Sequence, residues 1–210
     1  MCGCDDDCCY GVPENIKNCL IILGILTFLA AIVLVLVLVL AFGYLRHVAI
    51  TVDDGSLTRF ELVKAPGTAV AYNLSLTLTI RNPNWAIGIK NEKPLVAAYN
   101  FDGQLFDRVP VANKGDKMGA RKTMVYHLAS NSRNTGMLGN AGVAEFKKQK
   151  ATGVFEVEVK LTGKFRYTAR YTKCELDATC PLRLQLAPPG TPAVAFQKVK
   201  CTLAKPNKHC

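Results

Sequence analysis

The sequence predicts an all-β protein, an antiparallel β-sandwich, preceded by a single transmembrane helix. Three observations predict this class: a long uncharged run near the N-terminus, several short segments that alternate apolar and polar residues, and frequent turn signals between them. The second part of the chain has almost no helical periodicity, which favours a sandwich over an α/β architecture.

The transmembrane helix is predicted from charge and length. No charged residue occurs between Lys17 and Arg46. A helix of about 26 residues spans about 39 Å, more than a hydrocarbon core of about 30 Å. The run is too long for a cleaved signal peptide, and the tail before it is acidic. We predict an uncleaved signal anchor and three parts: a cytosolic Cys-rich acidic tail at 1–18, the helix at 19–45 and a sandwich domain at 46–210.

Charge is divided unequally between these parts. The formal net charge is +10. Residues 1–45 carry one lysine and four acids, whereas residues 46–210 carry 25 Lys and Arg against 12 Asp and Glu, a net charge of +13. Such a domain attracts polyanions such as acidic polysaccharide, phospholipid headgroups or nucleic acid. The alternative is that the charge serves solubility alone.

The segment 69–81 is the clearest strand. Leucine and isoleucine alternate with serine and threonine across NLSLTLTI at 73–80, as in a strand with one buried face. Asn73 opens the sequon Asn73-Leu74-Ser75 and shares the polar face, so we predict a glycan on Asn73 and an exported domain. The positive-inside count does not decide orientation, because large domains translocate largely regardless of charge.

Further strands follow from alternation and turns. Residues 47–62 resemble a short pair of strands around Asp53-Asp54-Gly55, and Asp102-Gly103 predicts a hairpin that sets Phe106 opposite Tyr99. Residues 144–150 are predicted to form at most one turn of helix. Trp85 is predicted to be at least partly buried, with a ligand-stacking role as the alternative. The other predicted strands are 85–90, 95–101, 104–108, 123–129, 182–186 and 194–203.

A hairpin is predicted over 155–171, with a three-residue loop at 162–164. This register sets Lys160 opposite Arg166, with Arg170 on the same solvent face. Like charges placed directly opposite one another destabilise a sheet, so an anion that bridges them is favourable. These three residues are the candidate contact for an acidic polymer, and the alternative is that the side chains extend separately into water.

Cysteine placement predicts an oxidising compartment for the domain. Four cysteines lie near the C-terminus, and we expect at least one disulfide among them. A short Cys174–Cys180 link and a pairing of either residue with Cys201 both remain open. The candidates are Cys174, Cys180, Cys201 and Cys210.

The cysteines of the tail have a different prediction. If they are cytosolic, they are reduced and well placed for S-palmitoylation beside the membrane, with no modification as the alternative. Their spacing is not that of a tetrahedral zinc site. The palmitoylation candidates are Cys2, Cys4, Cys8, Cys9 and Cys19.

No motif for catalysis is present. The sequence lacks G-x-S-x-G, H-E-x-x-H and a glycine-rich phosphate loop. We therefore expect no enzyme activity, no catalytic residues, no cofactor and no metal.

The motif Asn82-Pro83-Asn84 ends the 69–81 strand. Proline cannot continue a central ladder, and it holds the preceding residue in an extended conformation. The asparagines are expected to shape this strand exit, with contact to a ligand as the alternative. The same motif is the first of an ordered set along the chain. After it come Ile87-Gly88-Ile89, then Tyr99, Gly103 and Phe106 in the hairpin, and then V-x-V-x-L-T-G-K-F-R-Y at 157–167.

This ordered set, together with the short tail and one membrane helix, resembles the plant harpin-induced-like and non-race-specific-disease-resistance-like proteins. The resemblance covers nearly the whole chain. It implies a late embryogenesis abundant group-2 domain, a sandwich of fibronectin- or immunoglobulin-like shape, and a plasma-membrane protein of defence or stress responses without catalysis. Asn82, Pro83, Asn84 and Gly88 are the family-motif residues.

The resemblance and the charge together set expectations for location and partners. We expect a single-pass plasma-membrane protein with the N-terminus cytosolic and the domain outside. Partners are expected to be acidic cell-wall polysaccharide or another membrane or secreted protein, and not nucleic acid, with the oligomeric state open. The alternative function is a membrane-tethered module that binds a lipid or another small ligand.

Overall fold

The computed structural model describes residues 14–40, 45–64, 68–168, 173–187 and 196–204. The chain divides into two units, Met1–Tyr44 and Leu45–Cys210. In the first unit, helix α1 runs from Glu14 to Leu38. Its apolar span Ile16–Leu38 has 23 residues, which is long enough at about 1.5 Å per residue to cross a hydrocarbon core of about 30 Å. The helix begins earlier than residue 19 because helical hydrogen bonding continues into the polar residues that precede the apolar run.

The second unit is built from strands, with one helix, α2, at Asn140–Thr152. Its strands in chain order are β1 Ala49–Lys64, β2 Thr68–Arg81, β3 Ile89–Asn91, β4 Leu95–Phe101, β5 Gln104–Ala112, β6 Lys117–Met118, β7 Thr123–Met137, β8 Val154–Tyr167, β9 Lys173–Gln185, β10 Val199–Lys200 and β11 Thr202–Leu203.

These strands form two antiparallel sheets. The first has the order β10-β1-β2-β7. The second is centred on β8, which pairs with β9 on one side, and β9 in turn pairs with β11. The other side of β8 is shared, because β4 pairs with its middle, residues 157–162, and β3 pairs with its last residues, 165–167. The predicted antiparallel sandwich is confirmed.

The core lies between the sheets, where the inward residues of each strand meet. Along β2, Leu74, Leu76, Leu78 and Ile80 are buried, as alternation predicts. At one end of the sandwich, Phe60 lies within 4.8 to 5.9 Å of four other rings, measured between centroids. Three of these four pairs are edge-to-face, an arrangement that stabilises beyond the buried area. The four rings are Phe101, Phe106, Phe146 and Phe155.

Helix α2 supplies one of these rings and is longer than the single turn predicted. Of its 13 residues only Gly142 and Phe146 are buried. An apolar stripe therefore barely exists in its sequence, which is why periodicity did not reveal it. Strand β7 is likewise longer than the predicted 123–129, since pairing with β2 continues to Met137.

The predicted pair of strands around Asp53-Asp54-Gly55 is wrong. Strand β1 runs through this segment and pairs with β2 along its length. The polar triplet coincides with a register shift between Val52 and Asp54, which is a β-bulge and not a chain reversal.

The hairpin at Asp102-Gly103 is present, but its register differs from the prediction. Both turn residues have positive φ, 49° and 70°, as a two-residue hairpin turn requires. Tyr99 pairs with Asp107, and Asn100 pairs with Leu105, so Phe106 is an extra residue in a bulge. Phe106 is therefore not opposite Tyr99.

The predicted 155–171 hairpin is also wrong. Strand β8 continues through 162–164 and pairs with β9 from Val154 to Arg166. Gly163 does not turn the chain. It faces Leu95, whose Cδ1 lies 3.2 Å from where a β-carbon would be. The apolar parity at 155, 157, 159 and 161 continues unbroken at 165 and 167, which is the signal of a single strand.

Three other strand predictions need smaller corrections. The 85–90 strand is confined to Ile89–Asn91, because residues 82–88 form the exit from β2. Residues 182–185 belong to the longer β9, and the 194–203 strand is represented by β10 and β11.

Candidate functional site

Two buried asparagines organise the end of the sandwich where β2 finishes. Asn82 is fully buried and Asn84 is 3% exposed. The Asn82 amide nitrogen donates to the carbonyls of Ile87 at 2.8 Å and Gly119 at 3.0 Å. Its Oδ1 accepts the backbone N–H and the side-chain amide of Asn84. The Asn82 side chain is therefore fully hydrogen-bonded within the protein.

Asn84 holds the first residues of the domain. Its Oδ1 accepts the backbone N–H of Arg46 at 2.7 Å, and its Nδ2 donates to the Arg46 carbonyl at 2.8 Å. The Tyr167 hydroxyl also donates to that carbonyl, at 3.3 Å. The backbone at Arg46 is not paired with a neighbouring strand among the described residues. These contacts therefore satisfy its N–H and carbonyl groups.

Pro83 and Gly88, the other two motif residues, stabilise the same end of the sandwich. Pro83 follows the last residue pair of β2, where a missing N–H breaks no ladder. Gly88 donates from its N–H to the Thr168 hydroxyl at 3.1 Å, and its carbonyl accepts the Thr168 N–H at 2.9 Å. A β-carbon on Gly88 would lie 3.1 Å from the Met118 carbonyl oxygen. The motif residues therefore have structural roles that bring the segments near 46, 84, 120 and 168 together.

Trp85 is the exception at this junction. It was predicted to be at least partly buried, but 62% of the residue is exposed, so little of it is covered. The buried Asn84 precedes it, so the backbone of Trp85 is held while its indole faces outward. Beside it, the Arg121 N–H donates to the Asn84 carbonyl at 2.9 Å, and the Asn82 N–H donates to the Lys122 carbonyl at 2.9 Å.

Four exposed cations lie on the backbone segments that Asn82 and Asn84 hold beside this tryptophan. Arg46, Arg81, Arg121 and Lys122 are all exposed. None of the four has an ion pair within the described part of the chain. Sequence reasoning did not group them, because residues 46, 84 and 121 are far apart in the chain and meet only through the asparagine hydrogen bonds.

The anion contact predicted at Lys160 and Arg166 loses its geometric basis. With β8 continuous, these residues lie along one strand and not opposite each other. Lys160 pairs with Asp177 at 3.4 Å, and Arg166 pairs with Glu92 at 3.2 Å. The third candidate, Arg170, lies outside the described residues.

Of the disulfide pairings that the sequence allowed, the structure contains the one between Cys180 and Cys201. Cys180 and Cys201 form a disulfide, with 4.3 Å between their Cα atoms, so the short Cys174–Cys180 link is wrong. Cys174 is buried and is also disulfide-bonded, and Cys210 lies outside the described residues. The predicted presence of a disulfide is confirmed.

The modification candidates are placed but not tested. Asn73 is exposed on the outer face of the first sheet, between Arg59 and Asn131. This is the parity that the sequon prediction assumed. Cys19 is an exposed free cysteine in α1. Cys2, Cys4, Cys8 and Cys9 lie outside the described residues.

A polar cluster that sequence reasoning missed lies within the sandwich. The Tyr72 hydroxyl donates to Asp107 and lies 2.7 Å from the Ser130 hydroxyl, which also donates to Asp107 at 2.7 Å. The neighbouring Tyr99 hydroxyl is buried and has no hydrogen-bond partner among the described residues. Burial, and secondarily the nearby Tyr72 and Asp107, raise the pKa of Tyr99 above the ordinary tyrosine value.

One apolar cavity in the sandwich is small, whereas a groove of about 520 Å³ that is open to solvent lies beside Glu156 and Arg183. The apolar cavity has a volume of about 30 Å³, and its walls include Ile80, Ile89, Met124 and Phe165. That is room for about one water molecule, whereas ligand pockets measure hundreds of Å³. The cavity beside Ile80 and Phe165 is therefore too small to hold a lipid.

Comparison with known proteins gives relatives along most of the chain. NDR1/HIN1-like protein 3 of Arabidopsis thaliana is 28% identical over 95% of this chain and 86% of its own length. NDR1/HIN1-like protein 10 is 29% identical over 71% of this chain and 65% of its own length. NDR1/HIN1-like protein 2 of the same plant is 28% identical over 58% of this chain and 49% of its own length. The resemblance predicted from the motifs is confirmed.

Other comparisons add little. No family model matches the chain, so the late embryogenesis abundant domain stays a prediction. The X-ray structure of Northeast Structural Genomics Consortium target SoR45 covers 72% of this chain and 92% of its own, with 12% identity and a TM-score of 0.39. A crystal structure of a protein from Archaeoglobus fulgidus covers 65% of this chain and 98% of its own, with 8% identity and a TM-score of 0.33. Likenesses at these scores do not bear on function.

Proposed function

We propose that this chain, a relative of the NDR1/HIN1-like proteins, is a membrane-anchored protein of plant defence or stress responses that acts by contact and not by catalysis. One observation carries the proposal: a helix long enough to span a bilayer is joined in the same chain to a basic, disulfide-bonded sandwich. We place the protein in the plasma membrane, with its N-terminus cytosolic and the sandwich outside.

Two features of the domain support the outward orientation. A disulfide such as Cys180–Cys201 forms and persists in the secretory pathway and outside the cell, and is rare in the cytosol. The sequon asparagine is exposed, so a glycan attached there meets no part of the core.

The charge of the domain supports an anionic partner. Its net charge of +13 attracts acidic polymers, and the acidic polysaccharide of the cell wall is the partner class that we propose. Ion pairs at Lys160 and Arg166 make the outer face of β8 a less favourable place for this contact. Another membrane or secreted protein with an acidic surface fits the same charge.

Orientation is tested by glycosylation and protease protection. Endoglycosidase is expected to lower the apparent mass of the wild type, and Asn73→Gln is expected to abolish that shift. Asn131→Gln is the matched control, because Asn131 is the exposed cross-strand neighbour of Asn73 but opens no sequon. On intact cells, added protease is expected to remove the domain. A domain that resists protease until the membrane is opened overturns the orientation.

Partner class is tested with the full chain in detergent micelles. Binding to polygalacturonate is expected at low salt and is expected to weaken sharply as salt rises, because exposed charges are screened. A neutral polysaccharide is the control. Equal binding to both polymers, or binding that salt does not weaken, contradicts the electrostatic contact.

A further inference from the structure

We propose that the sandwich rests on the lipid headgroups of the bilayer that α1 spans, through the surface formed by Trp85, Arg46, Arg81, Arg121 and Lys122. This surface is called the Trp85 surface below. The proposal rests on the membrane anchor in the proposed function, and it adds which part of the domain meets the membrane.

The first argument is the exposure of a held tryptophan. Trp85 is the only tryptophan of the chain, and 62% of the residue is exposed. Its neighbour Asn84 is buried in a saturated hydrogen-bond network, so the indole is presented from a fixed backbone. Tryptophan is enriched at the membrane–water interface, where the ring lies among headgroups and the indole N–H stays hydrogen-bonded.

The second argument is the local charge. The four cations of the Trp85 surface are exposed and make no ion pair within the described ranges, whereas Lys160, Lys164, Arg166 and Arg183 on the second sheet are each paired with an acid. No Asp or Glu occurs in the segments 45–49, 81–90 and 117–123 that form this end. Cations without an ion pair, next to an interfacial aromatic ring, complement the phosphates that phospholipid headgroups present in either leaflet.

The third argument is chain length. Arg46 is the first charged residue after the apolar run, and only six residue steps separate it from Leu40. A fully extended chain spans at most about 3.6 Å per residue, so Arg46 stays within about 22 Å of Leu40. Because Asn84 binds the Arg46 backbone directly, Trp85 stays close to the membrane as well.

Charge reversal at the opposite end of the sandwich supplies a matched control. Strand β8 begins beside α2 at Val154 and ends beside Gly88 and Arg46 at Tyr167. Its 14 residues rise about 46 Å at roughly 3.3 Å each. Lys147 and Lys150 in α2 are exposed and lie at the far end. Changing both to glutamate alters net charge as much as changing Arg121 and Lys122.

The experiment uses fluorescence of the full chain in vesicles, where Trp85 is the only tryptophan. Vesicles contain phosphatidylcholine and phosphatidylserine, with or without bromine on the acyl chains. We expect blue-shifted emission and at least twofold quenching by brominated lipid for the wild type and for Lys147→Glu with Lys150→Glu. Arg121→Glu with Lys122→Glu is expected to lose most of the quenching.

Each other outcome overturns part or all of the proposal. Water-like, unquenched emission from chain that floats with the vesicles shows that the Trp85 surface does not meet lipid, and leaves the anchor intact. Equal quenching in all three proteins removes the role of the cations. A chain that does not float with vesicles removes the anchor, and with it both this inference and the membrane part of the proposed function.

Discussion

The side chain of Asn84 forms two hydrogen bonds with the backbone of Arg46, accepting its N–H at 2.7 Å and donating to its carbonyl at 2.8 Å. A strand neighbour would satisfy the same two groups. Here a side chain 38 residues away replaces the neighbour, which joins the start of the domain to the exit of β2.

Asn84→Ala is expected to destabilise the protein by about 2–4 kcal/mol. It removes the described partner of the Arg46 N–H and one of the two donors to both the Arg46 carbonyl and the Asn82 Oδ1. Asn84→Asp is expected to destabilise as well, since it keeps the acceptor and removes the donor. The measurement is chemical unfolding followed by circular dichroism. Asn100→Ala is the control, because Asn100 makes one 3.5 Å contact, to Glu158, and its loss is expected to cost under about 0.5 kcal/mol. Equal effects at 84 and 100 contradict this account.

Substitution of Gly136 and of Gly153 by alanine distinguishes the cost of backbone strain from the cost of crowding by neighbouring atoms. Both have positive φ, 61° and 72°. A β-carbon on Gly136 would lie 2.6 Å from Phe106 Cα, whereas one on Gly153 meets no atom within 4 Å. Gly153→Ala is expected to cost about 1–2 kcal/mol from strain, and Gly136→Ala about 2–5 kcal/mol because crowding is added. Thermal unfolding of the two variants checks the order, and similar losses would show that the bulge at Phe106 yields.

Tyr99 and Tyr72 differ in what their hydroxyls do. Tyr99→Phe removes a buried hydroxyl that lacks a partner in the described structure, so stability is expected to stay the same or rise by up to about 1 kcal/mol. Tyr72→Phe removes a donor to Asp107 and is expected to cost about 1–3 kcal/mol. Unfolding free energies of the two variants test the contrast. A larger loss for Tyr99→Phe would mean that its hydroxyl has a partner after all.

Asp53 makes stability depend on pH. The hydrogen bond and ion pair with Lys198, at 2.7 Å, together with hydrogen bonds from Thr79 and Thr51, lower the pKa of Asp53 below its usual value. A carboxyl whose folded pKa is lowered stabilises the fold above its unfolded pKa near 4 and loses this contribution as pH falls through the folded pKa.

Lys198→Met is therefore expected to cost at most about 1 kcal/mol near pH 7, since Lys198 is mostly exposed, and less near pH 3. Lys200→Met is the control, because Lys200 is exposed without an ion pair in the described residues. Unfolding free energies at the two pH values provide the check. A Lys198→Met loss that is the same at both pH values would exclude the Asp53 pair as its cause.

The Cys180–Cys201 disulfide closes a loop with a sequence separation of 21. Its replacement by two serines is expected to cost about 3 kcal/mol. Alkylation without reductant, followed by digestion and mass spectrometry, is expected to find peptides containing these cysteines linked to each other. Cys19, the free cysteine of the described chain, is expected to be alkylated in the same sample. Recovery of a peptide linking Cys174 to Cys180 would contradict the observed pairing.

Several features of this protein were predictable because they are local. The uncharged run needs no partner to identify it as a span, and alternation assigned the buried face of β2 and the exposed position of Asn73. The Asp102-Gly103 turn was found since only particular residues tolerate positive φ at both positions. The strand exit at Asn82-Pro83-Asn84 follows from the missing proline N–H.

Turn chemistry was misleading wherever a tertiary neighbour changed the role of a residue. Asp53-Asp54-Gly55 and Thr162-Gly163-Lys164 both have turn composition, yet each lies within a long strand. Pairing with β2 along β1, and with β9 along β8, outweighs the local preference for reversal. The anion contact at Lys160 and Arg166 was lost with the second of these turns.

By itself, therefore, the sequence determined that the chain has an apolar span and an alternating, sandwich-forming domain, since both depend on periodicity and charge along a few residues. Only the tertiary structure decided that Cys180 pairs with Cys201, that Asn84 binds the Arg46 backbone, and that Trp85 stands exposed among cations. The physical reason is that alternation specifies which face a side chain occupies but not which distant residue it meets. That choice is made by the packing of two sheets whose neighbours are separated in sequence by tens of residues.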